Sequence, residues 1–223
     1  MQLPLMPLNT VLFPGMPMPL AIFEQRYLRM VEECRCRDIP FGVALLRNGP
    51  EVGGIGEPHS VGTSALIVET TDTDDGLHIV VVGRERFRIR ALEVDDDLLR
   101  AEVALIPASR QTAHVSQELL QELSHMLQRH VRTILELLGL PAVEVALPPD
   151  PERLSFMIAA HLTAGLAVRQ GLLEIDDPGE RLVQVRELLR EESSQYELLL
   201  AASRRAAEAG GDEGAARGGF SRN

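Results

Sequence analysis

Residues 7–34 read "PLNTVLFPGMPMPLAIFEQRYLRMVEEC". Pro7, Pro14, Pro17 and Pro19 stand among large apolar residues, with Met16 and Met18 between them. Proline fixes its own φ and pushes the preceding residue toward extended conformations. "FPGMPMPL" is therefore stiff and extended, unable to become a helix or a central strand. The pattern then changes within a few residues. Tyr27, Met30 and Val31 fall at helical spacing and predict an amphipathic helix over 24–37. Two readings of the loop follow. In the structural one, Phe13, Leu20 and Ile22 plug a β-core while the loop crosses between strands. In the functional one, Met16, Met18 and Phe23 border an adaptable apolar groove, a use that suits the flexible, polarizable thioether of methionine.

Downstream of this helix the first half of the chain reads as strands. "FGVALL" (41–46) is closed by the turn signal "RNGPEVGG", and "VGTSALIVETT" (61–71) by "DTDDG" (72–76). "LHIVVVGRERFRIRALEV" follows as one or two strands. Within it Arg86, Arg88 and Arg90 alternate with Phe87 and Ile89, the period of two of a half-buried strand. "LRAEVALIP" (99–107) is a further strand. Near residue 112 the period becomes 3.6. Val115, Leu119, Leu123, Leu127, Val131, Ile134 and Leu138 share one face of a helix that Gly139 and Pro141 end. Asp150 caps a second helix with Pro151 at its first position; its inner stripe is Leu154, Met157, Ile158, His161 and Leu162. "DPGE" (177–180) opens a long last helix to about residue 208, with Leu182, Val185, Leu189, Tyr196 and Leu200 near a helical period. The class is α+β: a β-rich part over 1–110, a helical part over 111–208, and a Gly-rich tail, 209–223, expected to be disordered. Packing of the last helix within its own bundle is favoured over a coiled coil, because Ser193 and Ser194 interrupt its apolar spacing.

Composition excludes several chemistries. The 223 residues carry a net charge of −11, and all 22 cationic side chains are arginine. Without lysine there is no Walker A loop, Ser–Lys dyad or Schiff base. The charge disfavours nucleic acid and anionic membranes. The basic strand face Arg86/Arg88/Arg90 reads as ion pairing with nearby carboxylates. Cys34 and Cys36, two apart on a helix, point away from each other and cannot pair. They read as reduced, cytoplasmic thiols. The glycines of "GGIGEPHSVG" (53–62) miss the G-x-G-x-x-G spacing and read as a turn. The six histidines show no metal spacing, the acidic runs lack a calcium-loop pattern, and no G-x-S-x-G elbow occurs. No catalytic residue, metal or cofactor is expected. Neither a targeting segment nor an apolar run long enough to span a membrane is expected.

The stretch "LPLMPLNTVLFPGMPMPLAIFEQRYLRMVEEC" resembles the start of the Lon protease N-terminal domain. The signature is a Pro-Leu strand, then "LFPG", then P-L-x-I-F-E-x-R-Y. The likeness continues through "VGTSALI", "VVGRERFRI" and "AAHLTAGLAVRQGLLEIDDPGERLVQVRELL", covering roughly residues 2–200. It implies a PUA-like β-barrel followed by an α-helical bundle. It also implies a region that recognises unfolded or tagged polypeptides and helps assemble an oligomer. The family's ATPase and Ser–Lys peptidase lie downstream of this region and are not expected in a chain without lysine. The expectation is a non-catalytic recognition module, an adaptor or holding factor for exposed apolar segments, with Phe13, Met16, Met18 and Phe23 as contacts. Glu24, Arg26 and Tyr27, the E-x-R-Y residues, would fix the opening loop to the barrel. A separate protease and a second copy of the chain are the further partners this reading admits. An RNA-binding module, as PUA-like folds elsewhere provide, and a small-ligand sensor are the alternatives.

Overall fold

The computed structural model describes residues 1–109 and 115–216. The elements run β1 (Gln2–Leu8), β2 (Pro17–Ile22), α1 (Gln25–Arg37), β3 (Phe41–Asn48), β4 (Glu57–Thr73), β5 (Gly76–Asp95), β6 (Leu98–Leu105), α2 (Gln117–Leu137), α3 (Pro151–His161), α4 (Leu166–Glu174) and α5 (Pro178–Ala216). They form two compact units. One comprises Met1–Val115 with Pro148–Val185, the other Ser116–Leu147 with Arg186–Asn223. Residues 148–185 group with the strands.

The strands of the first unit close on themselves. β1 runs parallel to β3 and antiparallel to β6; β3 pairs with β4, β4 with β5, and the second half of β5 returns to β6. This closed five-stranded circuit is the expected barrel. β3 is buried on both faces: Ala44 lies with Leu3, Leu5, Phe87 and Val103 in one cluster, while Phe41 and Val43 lie with Met30, Val31 and Cys34 of α1 in another. The ring of Phe87 fits only because two backbones carry no side chain. A Cβ on Gly42 would stand 2.9 Å, and one on Gly62 2.7 Å, from Phe87 Cζ.

Among the described residues β2 bonds only to β5, at the sheet edge. Pro17 and Pro19, two apart, place their missing N–H groups on the same side of the strand, a pattern tolerated where no further strand pairs. The alternation turns Pro17, Pro19 and Ala21 to solvent and Met18, Leu20 and Ile22 inward. The preceding loop is held by Gly15 N–H to Gly83 O (2.8 Å), Gly83 N–H to Met16 O (3.0 Å) and Thr63 Oγ1 to Leu12 O (2.6 Å).

The helices of this unit include one the periodicity missed. α4 is nine residues long, follows Gly165 and contains Gly171, so it shows little helical pattern. Its last carbonyls are taken up by two arginines. The fully buried Arg181 donates Nε–H to Leu172 O (3.2 Å), Nη1 to Ser155 Oγ (2.9 Å) and Nη2 to Ile175 O (2.6 Å). Arg86 donates Nη1 to Leu173 O (2.9 Å) and Ile175 O (3.0 Å), and pairs with Asp176 at 3.1 Å. The Arg181 guanidinium also lies 3.8 Å from the ring centre of Phe156, a core residue of α3 outside the predicted stripe. Burial lowers the Arg181 pKa to about 10, which still leaves it charged at neutral pH. Arg86 is thus no part of a surface face.

Both expected caps form: Asp150 accepts from Arg153 N–H, and Asp177 from Glu180 N–H. In the second unit Leu123, Leu127, His130 and Thr133 of α2 are buried, whereas Leu138 at the end of the predicted stripe is exposed. His130 Nδ1 lies 2.9 Å from Ser193 Oγ, and its ring stands edge-on to Tyr196. α5 continues to Ala216. Residues 217–223 of the Gly-rich tail lie outside the described residues.

Arg181→Ala is predicted to destabilise the fold by about 3–5 kcal/mol, because it strands buried acceptors. Arg181→Lys keeps the charge but not the fork of donors, and is predicted to lose about 2 kcal/mol. Urea unfolding checks both; a lysine variant within about 0.5 kcal/mol of the parent would contradict the capping role.

Candidate functional site

The E-x-R-Y segment opens α1. Glu24 occupies the N-cap without a side-chain cap bond. Its carboxylate instead accepts from Gly53 N–H (Oε2, 3.1 Å) and pairs with Arg26 Nη2 at 2.9 Å. Arg26 Nη1 donates to Gly54 O (2.6 Å) and Asp97 O (3.3 Å), and its guanidinium covers the Tyr27 ring at 4.5 Å. Arg29 reaches Asp96 O at 3.1 Å. Tyr27 is buried, and burial raises its phenol pKa. This motif was expected to fasten the opening loop. It fastens the β3–β4 loop and the β5–β6 turn to the start of α1 instead. In that turn Asp96 and Asp97 sit at φ 48° and 64°.

The four expected contact residues fall in different places. Phe13 is 1% exposed, facing Phe156 with ring centres 6.1 Å apart and lying under Arg169. It offers a polypeptide no surface, so the plug reading describes it. Met16 is half-buried in the loop. Met18 is half-buried and packs against the core cluster beside α1. Phe23 is 53% exposed. Met18 and Phe23 are five residues apart on an extended chain, about 16 Å, so the four do not line one groove.

Around Phe23 the structure assembles a different set. Val52 and Ile55, 55% and 46% exposed, flank the Gly53–Gly54 pair that Glu24 and Arg26 hold. Three exposed apolar side chains thus lie on two segments that Glu24 and Arg26 tie together. Sequence reading takes "RNGPEVGG" (47–54) as a turn signal and "GGIGEPHSVG" (53–62) as a turn. The available signal was two large apolar residues in a Gly-rich loop, where polar ones are usual.

At the other end of α1, Cys34 is buried and Cys36 exposed, both free. Burial pushes the Cys34 thiol up to about 11. Cys36 is raised by donating its S–H to Glu32 Oε1 at 3.2 Å. The basic strand face that an RNA site would need is broken up, since Arg86 is buried on carbonyls. Among the described residues no helix is long and apolar enough to cross a membrane.

Comparison with known proteins places this arrangement. The chain matches the family described as "ATP-dependent protease La (LON) substrate-binding domain" over residues 2–191, and it belongs to that family. Lon protease 2 of Myxococcus xanthus is 31% identical over 194 residues, which cover 84% of this chain and 23% of that protein. Lon protease of Escherichia coli K12 is 25% identical, covering 86% and 25%. The chain thus spans about a quarter of the length of these curated relatives. A crystal structure of a Lon N-terminal domain protein from Xanthomonas campestris is 30% identical, with a TM-score of 0.63 over 84% of this chain and 98% of that one. The N-terminal domain of the Mycobacterium avium complex Lon protease, 21% identical with a TM-score of 0.59, shares the fold.

Under native conditions near pH 8, iodoacetamide is predicted to modify Cys36 and leave Cys34 intact until the protein unfolds. Mass spectrometry of digested samples checks this; equal labelling of both would contradict the packing of α1.

Proposed function

We propose that the chain recognises exposed apolar segments of non-native polypeptides, as an adaptor or holding factor without chemistry of its own. The recognising surface is Phe23 with Val52 and Ile55, and Met16 at the far end of β2 is peripheral to it. The observation that carries this reading is the contrast between Phe23, largely exposed, and the adjoining Glu24–Tyr27, held by hydrogen bonds, an ion pair and a covered ring. An apolar surface on a fixed backbone loses little entropy on binding. Membership of the Lon substrate-binding family supports the same reading. Transfer of the bound segment to a separate protease, and pairing of two copies of the chain, are extensions of it.

Fluorescence anisotropy with reduced, alkylated lactalbumin, a permanently unfolded probe, tests the proposal. Replacing Phe23, Val52 and Ile55 together by Asp is predicted to weaken binding by about tenfold or more with the thermal midpoint unchanged. Leu198→Asp, on exposed α5, is predicted to bind as the parent does. Unchanged binding in the triple variant would contradict the assignment.

A further inference from the structure

β4 is longer than the strand beside it. β3 pairs with β4 from Glu57 to Ala65, where Phe41 is its last partner. β5 continues to pair with β4 as far as Thr73. Over Leu66–Thr73, β4 is therefore bonded on one side only among the described residues, and its other edge presents backbone N–H and C=O groups without a strand. Leu66–Thr70 of that edge line a groove of about 350 Å³ whose opposite wall is the end of α1: Cys34, Arg35, Asp38 and Ile39. Cys34, Ile39 and Ile67 form its base, packed on the core cluster, while Arg35, Asp38, Glu69 and Thr70 make its walls polar. Val68 stands 51% exposed where the β4–β5 register shifts between Ile67 and Glu69.

Unpaired edge groups beside a groove with an apolar base and polar walls call for an occupant with an extended backbone and side chains that alternate apolar and polar. The charge of the rim narrows the choice. Glu69, Asp72, Asp74 and Asp75 are all exposed along this strand and its turn, while Arg35 in the facing wall is already paired with Glu32 at 3.7 Å. A second copy would set like charges opposite one another. A cationic strand does not meet that obstacle. We propose that the free edge of β4, Leu66–Thr73, is a second polypeptide site, where an extended segment with alternating apolar and Lys or Arg residues adds as a strand in the groove against α1. This rests on the reading of the chain as a polypeptide-recognition module, and gives that module a basic, extended class of substrate at a place separate from Phe23. Eight residues of edge are about 26 Å long and accommodate a segment of similar length.

The probe is a peptide of about ten residues alternating Val with Arg, with two relatives: one carrying Glu for Arg, and one N-methylated on the N–H groups of a single edge. Titration into the full ¹⁵N-labelled chain is expected to shift the amides of 66–73 and 34–39 and to protect those of 66–73 from exchange. The Glu peptide and the N-methylated peptide are each expected to bind about tenfold more weakly or worse. The exposed double variant Glu69→Arg/Asp72→Arg is expected to weaken the Arg peptide by a similar factor, and the Phe23/Val52/Ile55 triple variant to leave it unchanged. Equal binding of the N-methylated peptide, or shifts confined to other segments, overturns the strand site. If unfolded lactalbumin still binds in that case, only this inference fails; if neither probe binds, the recognition reading fails with it.

Discussion

Two arginines hold the first unit together. α4 ends inside the protein with carbonyls that no helical N–H can reach, and a buried helix end without partners is costly. Arg86 from β5 and Arg181 from α5 satisfy those carbonyls from different parts of the sequence, 95 positions apart, and Arg181 reaches Ser155 of α3 as well. A cation at a helix C-terminus also meets the negative end of the helix dipole. The buried charges are further stabilised by Asp176 and by the face of Phe156. Arginine suits this position better than lysine, because its donors are several, planar and spread. Residues 148–185 are joined to the barrel by Arg86, by Gln170 Nε2–H to Val61 O (3.1 Å) and by the contact of Phe156 with Phe13, although β6 ends far upstream.

The same packing decides what the opening segment can present. Phe156 and Arg169 close over Phe13, which with Leu12 becomes core. The prolines that follow make β2 an edge strand whose inward side chains, Met18, Leu20 and Ile22, complete the cluster under α1. Only where the chain leaves β2 does an aromatic side chain emerge, and there Glu24 and Arg26 bring the β3–β4 loop alongside. Rigidity at Phe23 is thus a consequence of the barrel and of α1, carried by an ion pair and hydrogen bonds to a glycine-rich loop.

Much of this was legible in the residues. The period of two in β5, the spacing of Tyr27, Met30 and Val31, and the caps at Asp150 and Asp177 are local signals, and each corresponds to the element it announced. The proline pattern correctly excluded a central strand. What could not be read depends on partners distant in sequence. Alternation in "RFRIR" marks a strand but does not say that α4 ends opposite Arg86. An apolar residue between prolines reads the same whether it lines a groove or a core, so Phe13 and Phe23 were grouped although the fold buries one and exposes the other. α4 is too short and too rich in glycine for its period to register. The β3–β4 loop looked inert because Val52 and Ile55 acquire a shared position only when Glu24 and Arg26 bind the backbone between them.

The central claim is that a fixed apolar surface at the start of α1 receives non-native polypeptide. Hydrogen–deuterium exchange of the full chain, with and without reduced, alkylated lactalbumin, tests it most directly. The account predicts slower exchange on binding in residues 22–26 and 50–56. Slowing confined to α2 and to α5 beyond residue 186, with those segments unaffected, would contradict it.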